Sequence, residues 1–420
     1  MINLIKEALE QVGVSLWRIN QIKSQSAELY FIRRSLDMRR MKETDKYVVT
    51  VYRDFEQNGK QMRGHSAVTL TAAYTMEDAV RAISDAFAAA KFVTNPTFDL
   101  PAPVCDHILA DAALPPEVAV MELAEALFQG ETEEGAFLNS AELFVTQESK
   151  RILTAEGTDL CYTVRQYKGE FVVQCKTPVD VEMYHSFSYN QLQKEALTEK
   201  VKAALKRVKD RAKATPTLKA GSYTLVLAEQ HVAELFSYFT ARSEASSVYA
   251  HYSNWQVGSK VQEEGEDEAL SLTLCATEPY SPSGVKMIDR PLVENGTLAM
   301  LHGDERFSSY LGIPTTGEYR AIRCENGSVP FAEMQKEPHL FVVSFSDFQM
   351  DPWSGHFGGE IRLAYYFDGQ DVSIVTGGSV NGNFTECKNH LRFSKETFQN
   401  SHYEGPLAVS IPCVQVAGNE

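Results

Sequence analysis

Apolar residues recur along the chain at two spacings, and the order of those spacings predicts its elements. Ile2, Ile5, Leu9 and Val12 are three and four apart, which is one face of a helix. Runs rich in β-branched and aromatic residues follow, such as Tyr47-Val48-Val49-Thr50-Val51-Tyr52 and Ala67-Val68-Thr69-Leu70, bounded by Gly- or Asp-bearing turns as strands are. Ala79, Val80, Ile83, Phe87 and Ala90 then form a second helical stripe, with Thr75 and Asp78 spaced as a capping box in front of it.

The same order returns. Ser26-Ala27-Glu28-Leu29-Tyr30 reappears as Ser140-Ala141-Glu142-Leu143-Phe144, 114 residues on (140 − 26). Strand-like runs follow it again, Leu160-Cys161-Tyr162-Thr163-Val164 and Glu170-Phe171-Val172-Val173-Gln174. A helix then closes the block through Leu197, Val201, Ala204, Leu205 and Val208. Its basic residues Lys200, Lys202, Lys206, Arg207 and Lys209 read as a solvated face. One duplication of a long unit differs from a solenoid, which repeats short units three or more times. Between the copies, prolines at 101, 103, 115 and 116 break regular structure, and one helix is predicted over Pro116–Gln129.

After Lys213 the stretch 214–223 reads as a linker, and the texture changes. A strand at Tyr223-Thr224-Leu225-Val226-Leu227 leads into a helix over Gln230–Ser243. The acidic run from Glu263 to Glu268 reads as a solvated loop. His339–Phe345 reads as a strand, and the segment 360–367 meets Asp368-Gly369, a hairpin turn, before Val372–Val375. The predicted class is α+β. Duplicated β-sheet-plus-helix modules at 1–95 and 138–215 flank a helical connection at 96–137, and an antiparallel β-rich C-terminal domain occupies 216–420.

Composition narrows the function classes. The 420 residues carry Lys+Arg 40 against Asp+Glu 56, a formal net charge of −16, which argues against a nucleic-acid or anionic-membrane surface. No window approaches 18 apolar residues, and Lys6, Glu7 and Glu10 interrupt the start where a signal peptide would be apolar. Seven scattered cysteines with no C-x-x-C pair suggest reduced, mostly buried thiols in a cytoplasm.

Catalytic motifs are absent from the sequence: no G-x-G-x-x-G after a strand, no phosphate-binding G-x-x-x-x-G-K-[ST], no H-E-x-x-H and no G-x-S-x-G. His231 and Glu234, three apart, read as a solvated first-turn pair. Gly377-Gly378-Ser379-Val380-Asn381-Gly382-Asn383 reads as a hairpin connection, lacking the Lys of a phosphate loop.

The collinear order of Ala27-Glu28-Leu29-Tyr30, Arg63-Gly64-His65-Ser66, the 77–91 helix, Leu153-Thr154-Ala155-Glu156-Gly157-Thr158-Asp159, the 197–212 helix and the strand ending Val226-Leu227-Ala228 resembles the TldD/PmbA family. Met350-Asp351-Pro352-Trp353-Ser354-Gly355-His356-Phe357 is similar to the family's N-P-x-T-G-x-F turn, and 377–383 to its final strand and turn. The family was once called the modulators of DNA gyrase, and its members pair as subunits of a zinc-dependent peptidase. In its active subunit the helix after the Val226-Leu227 strand carries H-E-x-x-x-H, two zinc ligands and a general base.

In that frame this chain has Ser237, Tyr238 and Arg242. Serine and tyrosine are poor zinc ligands, and arginine stays protonated. The family's late cysteine ligand has no counterpart over 355–362. The resemblance therefore implies a PmbA-like (TldE-like) subunit with no hydrolytic activity alone and no zinc of its own. Zinc would lie in a TldD-like partner, and the complex would cut peptides or mature peptide precursors. It implies a heterodimer with that partner or a homodimer, with no nucleic-acid or membrane partner. Phe357, Gly358 and Gly359 are candidate chamber-facing residues, with ordinary turn residues as the alternative. A self-associating peptide-binding scaffold, which would add a peptide to an open strand edge, is the second reading, and a hydrolase with another centre the third.

Overall fold

The computed structural model describes residues 1–110, 113–263 and 269–418. The first half is α1 (Ile2–Val12), β1 (Leu16–Ile32), β2 (Ser35–Gln57), β3 (Lys60–Thr71), α2 (Met76–Ala90), β4 (Cys105–His107), α3 (Pro116–Gln129), β5 (Ala136–Thr154), β6 (Asp159–Cys175), β7 (Val181–Tyr189) and α4 (Lys194–Arg211). Each copy of the duplication is thus a helix, three antiparallel strands and a closing helix. The first closing helix starts as its sequence predicts: the Thr75 hydroxyl accepts from the Asp78 amide at 3.2 Å, and the Asp78 carboxylate accepts from the Thr75 amide at 3.3 Å. Such a cap contributes about 1 kcal/mol.

The two copies share one sheet of order β3-β2-β1-β5-β6, with β4 and β7 both paired to the far edge of β6. β1 and β5 run antiparallel at its centre, from Arg18↔Thr154 to Ile32↔Ser140. Side chains alternate across a strand, so odd-numbered residues of β1 and β5 share one face. That face carries the helices. Ile19, Val49 and Leu70 pack with Ile5, Leu9 and Ile83 of α1 and α2. Leu29, Leu143 and Phe171 pack with Leu123 and Leu127 of α3 and with Leu197, Val201 and Leu205 of α4. The opposite face receives the C-terminal half: Asn20 donates to the Pro282 carbonyl at 2.8 Å, Lys150 pairs with Glu278 at 2.6 Å, and Tyr162 packs on Tyr280.

The stretch read as a linker is packed instead. The Thr215 amide donates to the Ile374 carbonyl and its carbonyl accepts from Thr376, both at 3.1 Å, while Leu218 is buried in the C-terminal core. β8 (Gly221–Ala228) and α5 (Gln230–Ser243) follow. Strands His339–Phe345, β8, Ala408–Ala417, Ser379–Asn383 and His356–Phe367 pair in that order, and the last returns to pair with the first. That closure removes the open edges of the five-membered ring. A second, six-stranded sheet runs from Thr297–Leu298 to Thr397–Gln399. Among the described strands of the C-terminal half, pairing is antiparallel except at Leu340↔Leu225 and Ile322↔Tyr403, where strands run parallel. The hairpin after Phe367 has a four-residue loop, because Phe367 pairs with Val372 and the Asp368 carboxylate holds the amides of Gln370 and Asp371.

Two further expectations change. Ser379–Asn383 is a strand between two others, with only Gly377 and Gly378 forming the turn. The seven cysteines are unbridged, but only Cys175 and Cys324 are buried, while Cys105 and Cys413 are exposed. The acidic run beyond Glu263 lies outside the described residues. Among the described residues no helix is long and apolar enough to cross a membrane.

Candidate functional site

The helix to which the resemblance assigns a metal motif is α5, held by the core through Val232, Leu235, Phe236 and Phe239. Tyr238 and Arg242 are one turn apart and so share a face. The Tyr238 ring is 2% exposed and packs edge-on against Phe239, Trp255 and Phe384 at 5.2–5.7 Å between ring centres. Burial raises its phenol above the ordinary value, although the nearby Arg242 charge opposes this. The Arg242 guanidinium lies 5.1 Å from the Tyr238 ring centre and 5.5 Å from that of Trp255. It donates to the carbonyls of Pro352 and Trp353, each at 3.0 Å. Ser237 is about 140° round the helix from Arg242, at 100° per residue.

These groups do not fit a zinc ion. A guanidinium stays protonated and has no lone pair to give, and the neutral phenol and hydroxyl are weak donors. Arg242 is instead a clamp on the turn 351–355. The same turn is closed by the Asp351 carboxylate, which accepts from the Trp353 amide at 2.9 Å and from the Ser354 hydroxyl. Those hydrogen bonds, Ser354 first, hold the Asp351 carboxyl below its ordinary range.

Phe357, Gly358 and Gly359 stand on the strand His356–Phe367, not in a turn. The Phe357 ring is 3% exposed and packs against Phe348 and Phe384 in the core, so only its backbone faces the shallow groove beside it. Gly358 and Gly359 line that groove, a space of about 490 Å³ that also includes Met350, His356 and Asn381. A Cβ at Gly358 would stand 2.3 Å from the Val380 carbonyl oxygen, and one at Gly359 2.3 Å from that of Asp347. Close backbone approach is what requires glycine at both positions.

His231 and Glu234 are not a solvated pair. His231 is buried, with its ring edge-on to Phe345 and Phe348 at 5.1 and 5.3 Å, and burial lowers its imidazole to about 4. Burial raises the Glu234 carboxyl to about 7. The first turn of α5 lies under the aromatic segment 345–348, which hydropathy of the helix alone does not reveal.

The basic face of α4 also divides. Lys202 pairs with Glu199 at 2.7 Å and Lys209 with Glu133 at 3.0 Å, while Lys206 is exposed. Lys200 and Arg207 turn into a cleft with Glu229, the residue that joins β8 to α5. Sequence reading missed this cluster. The one available signal is the seven-residue step from Lys200 to Arg207, which follows the buried pair Val201 and Val208.

Residues 220–418 match the PmbA/TldA metallopeptidase C-terminal domain family. No curated protein matches the chain. Among solved structures, TldE from Thermococcus kodakarensis is similar over 100% of both chains, with a TM-score of 0.79 and 18% identity. A proposed DNA gyrase modulator from Thermotoga maritima aligns over 99% of this chain and 100% of its own, with a TM-score of 0.78 and 13% identity. Another from Bacteroides thetaiotaomicron aligns over 99% and 98%, with a TM-score of 0.78 and 15% identity. At such identities the likeness is one of fold. Residues 220–418 thus match the PmbA/TldA metallopeptidase C-terminal domain, and along its whole length the chain has the fold of TldE and of the gyrase-modulator structures.

Proposed function

We propose that this chain is a non-catalytic, TldE-like subunit of a TldD-type zinc peptidase complex that acts on peptides or peptide precursors in the cytoplasm. The observation that carries this reading is Arg242. A protonated guanidinium, fixed between two carbonyls and two aromatic rings, stands at the position that the resemblance gives to a zinc ligand. It repels a cation and stiffens the turn at Pro352 and Trp353. The partner's zinc would do the cutting, and this chain would supply part of the chamber wall around Gly358 and Gly359.

The test is co-expression with a TldD-like protein from the same genome. A stable complex with zinc in the partner only is expected. Failure to co-purify, or stoichiometric zinc in this chain alone, overturns the reading.

One observation favours self-association as a second reading. Residues 35–45 of β2 pair with β1 alone, so their other edge meets no strand among the described residues, and Leu36, Met38 and Met41 are exposed there. An open edge of that length can take up another strand. Sedimentation of the purified chain separates the two readings: a stable homodimer that ignores a TldD-like protein favours the second.

A further inference from the structure

Between the second N-terminal module and the C-terminal domain lies a cleft of about 1110 Å³. β6 and β7 form one wall, α4 another, and residues 397–402 the third. It is separate from the metal-motif positions, since α5 reaches it only by the first turn and Arg242 is at the far end of that helix.

Its charges nearly cancel, and the remainder is informative. Arg207 donates to Glu229 at 2.7 Å, a self-neutralising pair. Glu199 is engaged by Lys202 at 2.7 Å. Lys168 and Glu170 stand two apart on β6 with opposite charge. Lys200 remains, and it has no hydrogen bond or ion pair among the described residues. Burial penalises its charge, with only the more distant Glu229 carboxylate in its favour. Beside it, the His185 ring is stacked on Phe171 at 5.3 Å, and its buried Nε2 has no partner. Burial keeps that imidazole neutral, lowering it to about 3. Glu229 itself has φ +58, a strained value for a residue with a side chain.

A half-buried ammonium without a hydrogen-bonding partner costs stability, and such groups concentrate where a ligand uses them. We propose that this cleft binds the terminal carboxylate of a peptide, with Lys200 as its counter-ion and His185 Nε2 as a second polar contact. One uncompensated positive charge suits a singly charged carboxylate better than a phosphate dianion. Phe187, Phe398, Asn190 and Gln193 provide the mixture of rings and amides that a peptide backbone and side chain can use. The choice of a peptide rests on the function proposed above, whereas the requirement for an anion does not.

The test uses the purified full chain alone, so loss of the TldD-like partner does not affect it. An acetylated pentapeptide ending in phenylalanine is titrated calorimetrically as its C-terminal acid and as its amide. The acid is expected to bind about 10-fold or more tighter, the value of one charge-assisted hydrogen bond. Lys200→Met should erase that difference without lowering the melting temperature, because it removes a desolvated charge, and Lys200→Arg should retain it. The proposal is overturned if acid and amide bind alike, if neither binds, if Lys200→Met keeps the preference, or if inorganic phosphate displaces the acid more effectively than acetate does.

Discussion

Leu29 lies directly opposite Leu143 at the centre of the N-terminal sheet, and the two are separated by the same 114 residues (143 − 29) as the repeated Ser26 and Ser140. At this position a residue pairs with its own equivalent in the other copy, and the flanking pairs exchange counterparts. The pairs on either side are consistent: Ala27 faces Val145, and Phe31 faces Ala141, the counterpart of Ala27. Antiparallel pairing of two equivalent strands puts a local two-fold axis normal to the sheet. That symmetry brings both sets of helices to the same face.

Because Leu29 and Leu143 are both fully buried, Leu29→Ala and Leu143→Ala are each expected to cost about 2–5 kcal/mol in denaturant unfolding. They share one packing site, so the double variant should cost less than the sum of the singles. Additive losses would mean that the two side chains pack independently.

Arg242 offers a test of the clamp. Arg242→Lys keeps the charge but loses the planar fork that reaches two carbonyls and lies against two rings, and a cost of about 1–3 kcal/mol is expected. Amide exchange at Trp353, whose N–H bonds Asp351, should accelerate in the variant. Unchanged exchange would show that the turn holds itself without the guanidinium.

Glu234 makes a prediction about pH. Its folded-state carboxyl is raised by burial to about 7, above the ordinary 4.5, so the folded protein holds the proton more tightly than the unfolded chain does. Its contribution is fully present below about pH 4.5 and is lost as pH rises through 7. Glu234→Gln should remove that part of the decline between pH 5 and pH 8, measured as the difference in unfolding midpoint from the parent protein. A difference that does not vary over that range would contradict the burial of this carboxyl.

Much of the fold was legible. The Thr75–Asp78 cap, the helix Pro116–Gln129 and the strand His339–Phe345 depend on local spacing, and local spacing is what a sequence displays. The segment 214–220 misled because its threonines, proline and lysine look solvated, yet Thr215 completes a bridge to Val375 that is 160 residues away (375 − 215). His231 misled for the same reason, since the phenylalanines that cover it come from residues 345 and 348.

By itself the sequence determined the duplication, the alternation of strand and helix, the acidic balance, and the residue types Ser237, Tyr238 and Arg242 at the metal-motif positions. These are properties of order and of chemical identity, which do not depend on distant contacts. Only the tertiary structure decided that the two copies share a sheet, that Arg242 bonds Pro352 and Trp353, and that Lys200 and Arg207 leave the solvated face to meet Glu229 and His185. Burial and charge pairing are set by chain segments tens to hundreds of residues apart, and no local pattern of polarity records which segments will meet.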